Sequence, residues 1–435
     1  MPAMLKQNGR TNREDSPMET ETVRARAGGI FQPFKVRNFN LLFSGQTVSI
    51  IGDALYAVAL PWLILNNGGN AQDLGVVLTA YGIPRAGSML LGGWLSDRLR
   101  PRRLMLIADI IRALLMGILA ALALWGHPTV LQLCAIAVPL GVLGGAFMPA
   151  SMAIAPDILN NEDLQASNAL IFSSMQGANL VGSALAGVVV AAFSAGAALA
   201  IDAATFIVSA VSLAMMRTTH RPTRNKREEG ASREVPLVDS QEQINFWHFL
   251  RTSRLIQVTL LVFTMIGLCS GGLMEVALPT LVHGPMHGNA SGYGLILAGW
   301  GAGALAGSIL AGTLGKLKHK GILMLVDGMI TAAAIAFLPN WGVPGAVILM
   351  LIGGIAGSGI NVLLFTAVQL NIPRHLMGRV MGLLMFSSFG MYPLSVALAG
   401  VLSNQFGPTI LFPFGGLLIA LVMLFGMTQR ALREL

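Results

Sequence analysis

The sequence predicts an all-α membrane protein whose twelve transmembrane helices form two parallel six-helix repeats. Three features of the chain carry that expectation. Of its 435 residues, 54% are hydrophobic and only 11% charged, with a mean hydropathy of +0.68, whereas a water-soluble globule carries roughly a quarter charged residues. Apolar runs near the roughly 20 residues that a bilayer-crossing helix needs occur twelve times. Finally, Val58-Ala59-Leu60-Pro61 recurs as Val276-Ala277-Leu278-Pro279, 218 positions later (276 − 58).

The runs cover 40–65, 74–96, 104–125, 130–155, 168–193 and 197–216 in the first half, and 256–281, 292–314, 322–338, 344–366, 378–402 and 409–428 in the second. Each is apolar and short of strong charge. The repeat offset persists along them. At 219, Gly75 falls on Gly294, Gly82 on Gly301, Gly93 on Gly312 and Leu95 on Leu314; at 218, Asp109 falls on Asp327; at 213, Ala184 to Val188 falls on Ala397 to Val401. A drift of a few residues is what changes of loop length between duplicated halves would leave. Six spans per half, an even number, make the repeats parallel rather than inverted.

The domain organisation follows: an N-terminal arm (1–39), a six-helix bundle (40–216), a linker (217–254), a second bundle (255–428) and a short tail (429–435). Of the 28 Lys and Arg, all but Arg85 and Arg112, inside spans, and Arg379, at the first turn of span eleven, fall in the arm, the connections after even-numbered spans, or the tail. By the positive-inside rule this puts both termini and the linker in the cytoplasm. The chain is thus expected to be a multi-pass protein of the cytoplasmic membrane, whose uncleaved first helix serves as its targeting signal. The arm has the composition of a disordered segment. In the linker, Ile244, Phe246, Trp247, Phe249, Leu250 and Leu255 recur at helical spacing beside Arg251 and Arg254, which reads as an amphipathic surface helix or as a simple extension of span seven.

Several function classes are excluded or disfavoured. The net charge of +8 is topological, so no nucleic-acid partner is implied. No G-x-x-x-x-G-K-[ST] loop is present, and neither H-E-x-x-H nor G-x-S-x-G appears; no cofactor and no enzymatic activity are expected. His283 and His287 have the spacing of a helical metal pair, but Gly284 and Pro285 between them would break the helix, and no metal site is expected. Cys134 and Cys269 stand singly in spans, where they read as small packed apolar side chains.

The connection after span two reads Gly92-Gly93-Trp94-Leu95-Ser96-Asp97-Arg98-Leu99-Arg100-Pro101-Arg102-Arg103-Leu104. Gly93 permits close helix approach, Asp97 suits a neighbouring helix N-terminus or guanidinium, and Arg98, Arg102 and Arg103 suit anionic headgroups. The stretch resembles the signature loop of the major facilitator superfamily in sequence and position. With Arg100-Pro101 where the family has glycine, it is similar to the macrolide-efflux and siderophore-exporter branch of that superfamily's drug:proton antiporters. Gly52-Asp53 with Leu60-Pro61, Met148-Pro149-Ala150 with Pro156-Asp157, Asn168-Ala169-Leu170 and Gly378-Arg379-Val380 resemble the branch as well. The resemblance implies a monomeric transporter of twelve spans, using alternating access to move a small amphipathic organic substrate in exchange for protons across the lipid bilayer. The span-five antiporter motif survives only as Gly182 to Gly187, with Ser183 in place of proline, and the span-four Arg of the family is missing between Pro139 and Ile158.

A charge near the bilayer centre costs at least about 2.5 kcal/mol, so intramembrane ionisable groups are functional candidates. Asp53 lies near the middle of span one and Arg85 near the middle of span two. The sharper expectation is that Asp53 is the protonation site and Arg85 its partner. A buried structural pair, or two side chains facing water separately, is the alternative. Glu275, toward the outer end of span seven, is a candidate for titration or for contact with a cationic substrate, or else an interfacial residue. Asp109 and Arg112, three apart on one helical face, together with Asp327 and Arg379, read as scaffolding of a cytoplasmic gate. Asp202 and Asn361 have no assigned role. The chain is therefore expected to export drug- or macrolide-like compounds. A proton-independent facilitator or uptake carrier of the same fold, or a non-transporting receptor or enzyme, are the alternatives.

Overall fold

The computed structural model describes residues 31–159, 163–217, 246–314, 320–371 and 377–429, with side chains throughout except at 90–99, 311–321, 359–379 and a few single positions. The expected arm to Gly29, most of the linker, residues 315–319 and 372–376 and the end of the tail lie outside it.

Twelve spans appear in the expected order: Arg37–Asn66, Ala71–Leu99, Pro101–Trp125, Val130–Ala153, Leu164–Ala192, Ala195–Met215, Arg254–His283, Ala290–Leu314, Lys320–Phe337, Gly342–Asn371, a broken eleventh made of Met377–Phe389 and Tyr392–Phe406, and Pro408–Thr428. Nine helical stretches among the described residues are long and apolar enough to cross a membrane, one of them (Ile322–Ser358) being spans nine and ten run together through a 3-10 turn. Span two is not counted among the nine because its side chains are described only to Met89. Span eleven departs because Gly390 and Met391 interrupt it before Pro393, which fits only the first turn of a new helix. The linker ends in a seven-residue helix, Phe246–Thr252, whose last carbonyls, Leu250 and Arg251, accept from the Gln257 amide at 3.1 and 2.6 Å.

The chain fixes the starts of these helices locally. Asn70 and Asp73 form a capping box at span two, Thr129 and Gln132 another at span four, and the Ser194 hydroxyl accepts from the Ala197 amide at span six. These short turns share one face, the distal face; the opposite, terminal face carries the first and last described residues, Phe31 and Gln429.

Packing repeats with the duplication. Span two lies along span four as span eight lies along span ten, and spans three and six pair as do nine and twelve. Between the halves, span two meets span eleven and span five meets span eight. Glycine sets several of these approaches. A methyl group added at Gly299, Gly303 or Gly307 would run into the backbone carbonyls of Val347, Leu351 and Ile355 one turn apart on span ten. The halves touch at two glycine pairs, Gly75 with Gly400 and Gly294 with Gly187. Gly75 and Gly294 are repeat equivalents, and so are Gly187 and Gly400, so one contact is made twice about the internal symmetry.

Three hydrogen bonds that join the halves lie at the distal face: Asn404 to Gln72 at 3.2 Å, Ser291 to the Gly187 carbonyl at 3.1 Å, and His283 with Asn66 at 3.2 Å. Trp62 stacks on Tyr293 with ring centroids 5.9 Å apart and meets the His283 ring edge-on at 5.6 Å. The doubled Val-Ala-Leu-Pro tetrapeptides, all eight residues buried, lie just beneath this seal.

Candidate functional site

Asp53 and Ala57, one turn apart, are exposed on span one while Gly52, Ala54, Leu55 and Val58 around them are buried. The exposed stripe faces the interior of the molecule, because Asp53 feels the guanidinium of Arg112 on span three first and that of Arg85 on span two second. No ion pair within 4.0 Å joins Asp53 to Arg85. The Arg85 guanidinium instead lies 5.5 Å above the Tyr81 ring and in the fields of Glu275 and Tyr392 from the other half.

Arg112 is built into its place. Its Nη1 lies 3.8 Å from Asp109 Oδ1, and its guanidinium sits between the rings of Phe147 and Phe206 at 4.7 and 5.5 Å. Asp109 in turn accepts from the Ser209 hydroxyl at 2.6 Å. Any side chain at Gly144 would come within 3.2 Å of both Arg112 Nη2 and the Tyr81 hydroxyl, so glycine leaves the room in which the two approach. Arg112, grouped by sequence with a gate scaffold, thus belongs to the central cluster. Asp327, the repeat equivalent of Asp109, is only half-buried, and Ile330 stands where Arg112 would be; the pair is not symmetric.

Glu275 arrives from the second half on a distorted turn. Proline at 279 has no N–H for the carbonyl four residues before it, that of Glu275, and Leu273–Ala277 is wound as a π-helix. Such bulges displace a side chain from regular α register. The Gly272 amide donates to the Ser395 hydroxyl at 2.7 Å, and that hydroxyl donates to the Leu268 carbonyl. The Tyr392 hydroxyl, at the restart of span eleven, donates to Glu275 Oε2. The Tyr392 ring also packs on Gly271, the repeat equivalent of Asp53, so an aromatic ring lies where the first half carries its acid. Tyr56 completes the set, within electrostatic reach of Asp53, Asp202, Glu275 and Tyr81.

The other expected residues fall elsewhere. Arg102 does not reach for headgroups: its Nε and Nη2 donate to the carbonyls of Leu213 and Ala214 at 2.7 and 2.8 Å, capping the C-terminus of span six. Arg103 is exposed, and Arg100 takes a left-handed φ of 65°, the conformation that suits the glycine it replaces. The side chains of Asp97, Arg98, Arg379 and Asn361, and the surroundings of Gly93, lie outside those described. Gly182 packs on span one at Ile51 and Ala54, whereas Gly187 forms the distal contact with span eight. Helix geometry ends at His283, before Gly284, and His287 has a φ of 48°, so the two rings do not share a helical face. Sequence reasoning missed the tyrosines, of which the chain has four: Tyr56 and Tyr392 lie at the acids, Tyr81 lies under Arg85, and Tyr293 stacks at the seal within reach of Glu275.

An apolar groove of about 460 Å³ opens separately between spans two and eleven, lined by Thr79, Ile83, Gly87, Phe386, Pro393 and Leu394, with no titratable group on its walls.

Solved structures with this architecture include a bacterial homologue of the iron transporter ferroportin in its inward-facing state (TM-score 0.66, 16% identity, 90% of this chain and 99% of the other) and the D-xylose–proton symporter (TM-score 0.69, 13% identity, 91% and 97%). Among characterised sequences, the chain is similar to the multidrug efflux pump Tap of Mycobacterium tuberculosis, 26% identical over 408 residues (91% of this chain, 94% of Tap). It is also similar to the enterobactin exporter EntS of Citrobacter koseri, 24% identical over 353 residues (79% and 80%). The profile of the Major Facilitator Superfamily matches residues 42–396. With a doubled six-helix bundle, charges gathered between its halves and a family match across most of its length, this chain belongs to the Major Facilitator Superfamily.

Proposed function

We propose that the chain exports small amphipathic organic compounds across the cytoplasmic membrane in exchange for protons, with the terminal face in the cytoplasm. The observation that carries this reading is the central cluster: an exposed Asp53 on span one, within electrostatic reach of Arg112 and Arg85, with a Glu275–Tyr392 pair contributed by the other half. Such an arrangement offers a carboxylate that binds either a proton or the cationic end of a substrate. The distal seal fits a state loaded from the cytoplasm, and the similarity to Tap and EntS supports export as the direction.

The cycle runs as two competing occupancies. A protonated Asp53 is neutral and releases a cation; a deprotonated Asp53 holds one. Opening the distal face requires parting Gly75 from Gly400 and Gly187 from Gly294, after which Asp53 meets the outer solution and reloads with a proton. In proteoliposomes with an imposed pH gradient and ethidium as the transported probe, wild type accumulates ethidium on the acidic side and Asp53→Asn falls to the leak rate. Gradient-driven accumulation by Asp53→Asn at the wild-type rate would sink the role given to this residue.

The missing span-four arginine and Ser183 favour a second reading, a facilitator of the same fold. Downhill ethidium movement that is indifferent to pH in wild type would establish it.

A further inference from the structure

Asp202 on span six is 1% exposed, and its Oδ2 has no hydrogen-bond partner. Its Oδ1 has one prospective donor in the protein, the Thr205 hydroxyl at 3.3 Å, and that single proton is shared with the Asp202 backbone carbonyl at the shorter distance of 2.7 Å. A carboxylate has about four acceptor sites, so an ionised Asp202 would be left almost unsolvated, and buried charges persist only when paired and hydrogen-bonded. The guanidinium of Arg112, the nearest cation, is committed to Asp109 and two aromatic rings. No ion pair within 4.0 Å joins it to Asp202.

The carboxyl is pressed against Gly52. A methyl group at that position would collide with Thr205 Oγ1 and Asp202 Oδ1, so the backbone beside Asp53 touches Asp202 directly. Asp53 and Tyr56 face Asp202 from span one and Arg112 faces it from span three. Asp109 lies further along span three at Ser209. Span five, which also packs on span six, carries no titratable residue.

We propose that Asp202 is a second proton-binding carboxyl, filled from Asp53 across the Gly52 contact, so that a proton satisfies its orphaned Oδ2. The step is a proton transfer alone. The O–H bond of the Asp53 carboxylic acid breaks, an O–H bond forms at Asp202 Oδ2, and the negative charge moves to Asp53, which unlike Asp202 is exposed to solvent. Burial thus stores a proton on Asp202 while Asp53 is free to hold a cation. The role of the store in transport rests on the proton-exchange reading; its occupancy does not.

The test uses the full chain in liposomes. Infrared difference spectra between alkaline and mildly acidic buffer are expected to show a protonated-carboxyl C=O band that disappears in Asp202→Asn and survives, displaced, in Asp202→Glu. In Asp202→Asn, ethidium counterflow should persist while accumulation driven by a pH gradient is lost. Thr205→Val, which removes the one donor, should displace the same band. A band unchanged in Asp202→Asn, or in Thr205→Val if the first variant does not fold, overturns the proposal. So does gradient-driven accumulation by Asp202→Asn at the wild-type rate, or loss of counterflow together with it. A wild type that shows the band but no pH-driven accumulation sinks proton exchange and leaves Asp202 as a proton site without a transport role, which overturns the coupling half of the proposal.

Discussion

At Arg100 the backbone takes φ 65° and ψ 130°, a sparsely populated conformation that costs a residue with a Cβ about 1–3 kcal/mol. Arg100→Gly is therefore expected to stabilise the protein by about 1 kcal/mol, seen as a higher unfolding midpoint in detergent; an unchanged midpoint would mean that the local fold relaxes around arginine at no cost. Two residues on, Arg102→Ala removes a charged donor from two carbonyls and should cost about 1–3 kcal/mol, read from the same unfolding curves. Lysine at that position should restore only part of the loss, because it lacks the forked geometry. The sequence placed both arginines in one basic loop but did not separate the strained one from the capping one, since that depends on which helix end lies opposite.

At the scale of elements, spans seven and eleven both lose regular α geometry where they meet. In span seven the cause is Pro279 and the free carbonyl it leaves; in span eleven it is the Gly390 turn followed by Pro393. Pro279→Ala restores a donor to the helix and is expected to return Leu273–Ala277 to α register, carrying Glu275 off Tyr392. Transport should then fall as far in Pro279→Ala as in Tyr392→Phe, with no further fall in the double variant; additive losses would show that the π turn and the hydrogen bond act independently. Proline at 279 was plain in the sequence, but its equivalent, Pro61, sits in an unbroken α-helix. A proline permits the distortion, and the packing partner decides whether it occurs. The glycine run of span eight was legible as a packing face, and Gly303→Val should destabilise by about 1–3 kcal/mol through overpacking against Leu351.

For the whole molecule, the prediction concerns the distal seal. In a Cys134→Ser, Cys269→Ser background, Gln72→Cys with Asn404→Cys places two thiols on facing positions whose longer side chains now touch at 3.2 Å, within reach of a short, reducible bifunctional thiol reagent. Cross-linking this pair is expected to abolish transport, and reduction to restore it. Transport at the wild-type rate with the cross-link intact would show that the halves need not part here. The two glycine contacts, related by the duplication, make the seal a symmetric structure, whereas the charges beneath it are not: Asp53 faces Gly271 across the repeat, and Glu275 faces Ala57.

By itself, the sequence determined what depends on composition and period: twelve spans, their duplication, which spans carry Asp53, Arg85 and Glu275, and the spacing that lets Asp109 meet Arg112 one turn on. Lipid enforces these directly, since every apolar run must be long enough and every charge must be accounted for. Partner choice between helices was decided only in the tertiary structure. Whether Asp53 looks to Arg85 or to Arg112, whether Asp202 meets solvent or Gly52, and where three tyrosines converge all depend on helix rotation about its own axis. In helices apolar on every side, no contrast between a polar and an apolar face reports that rotation; it is set by which glycines let which backbones touch.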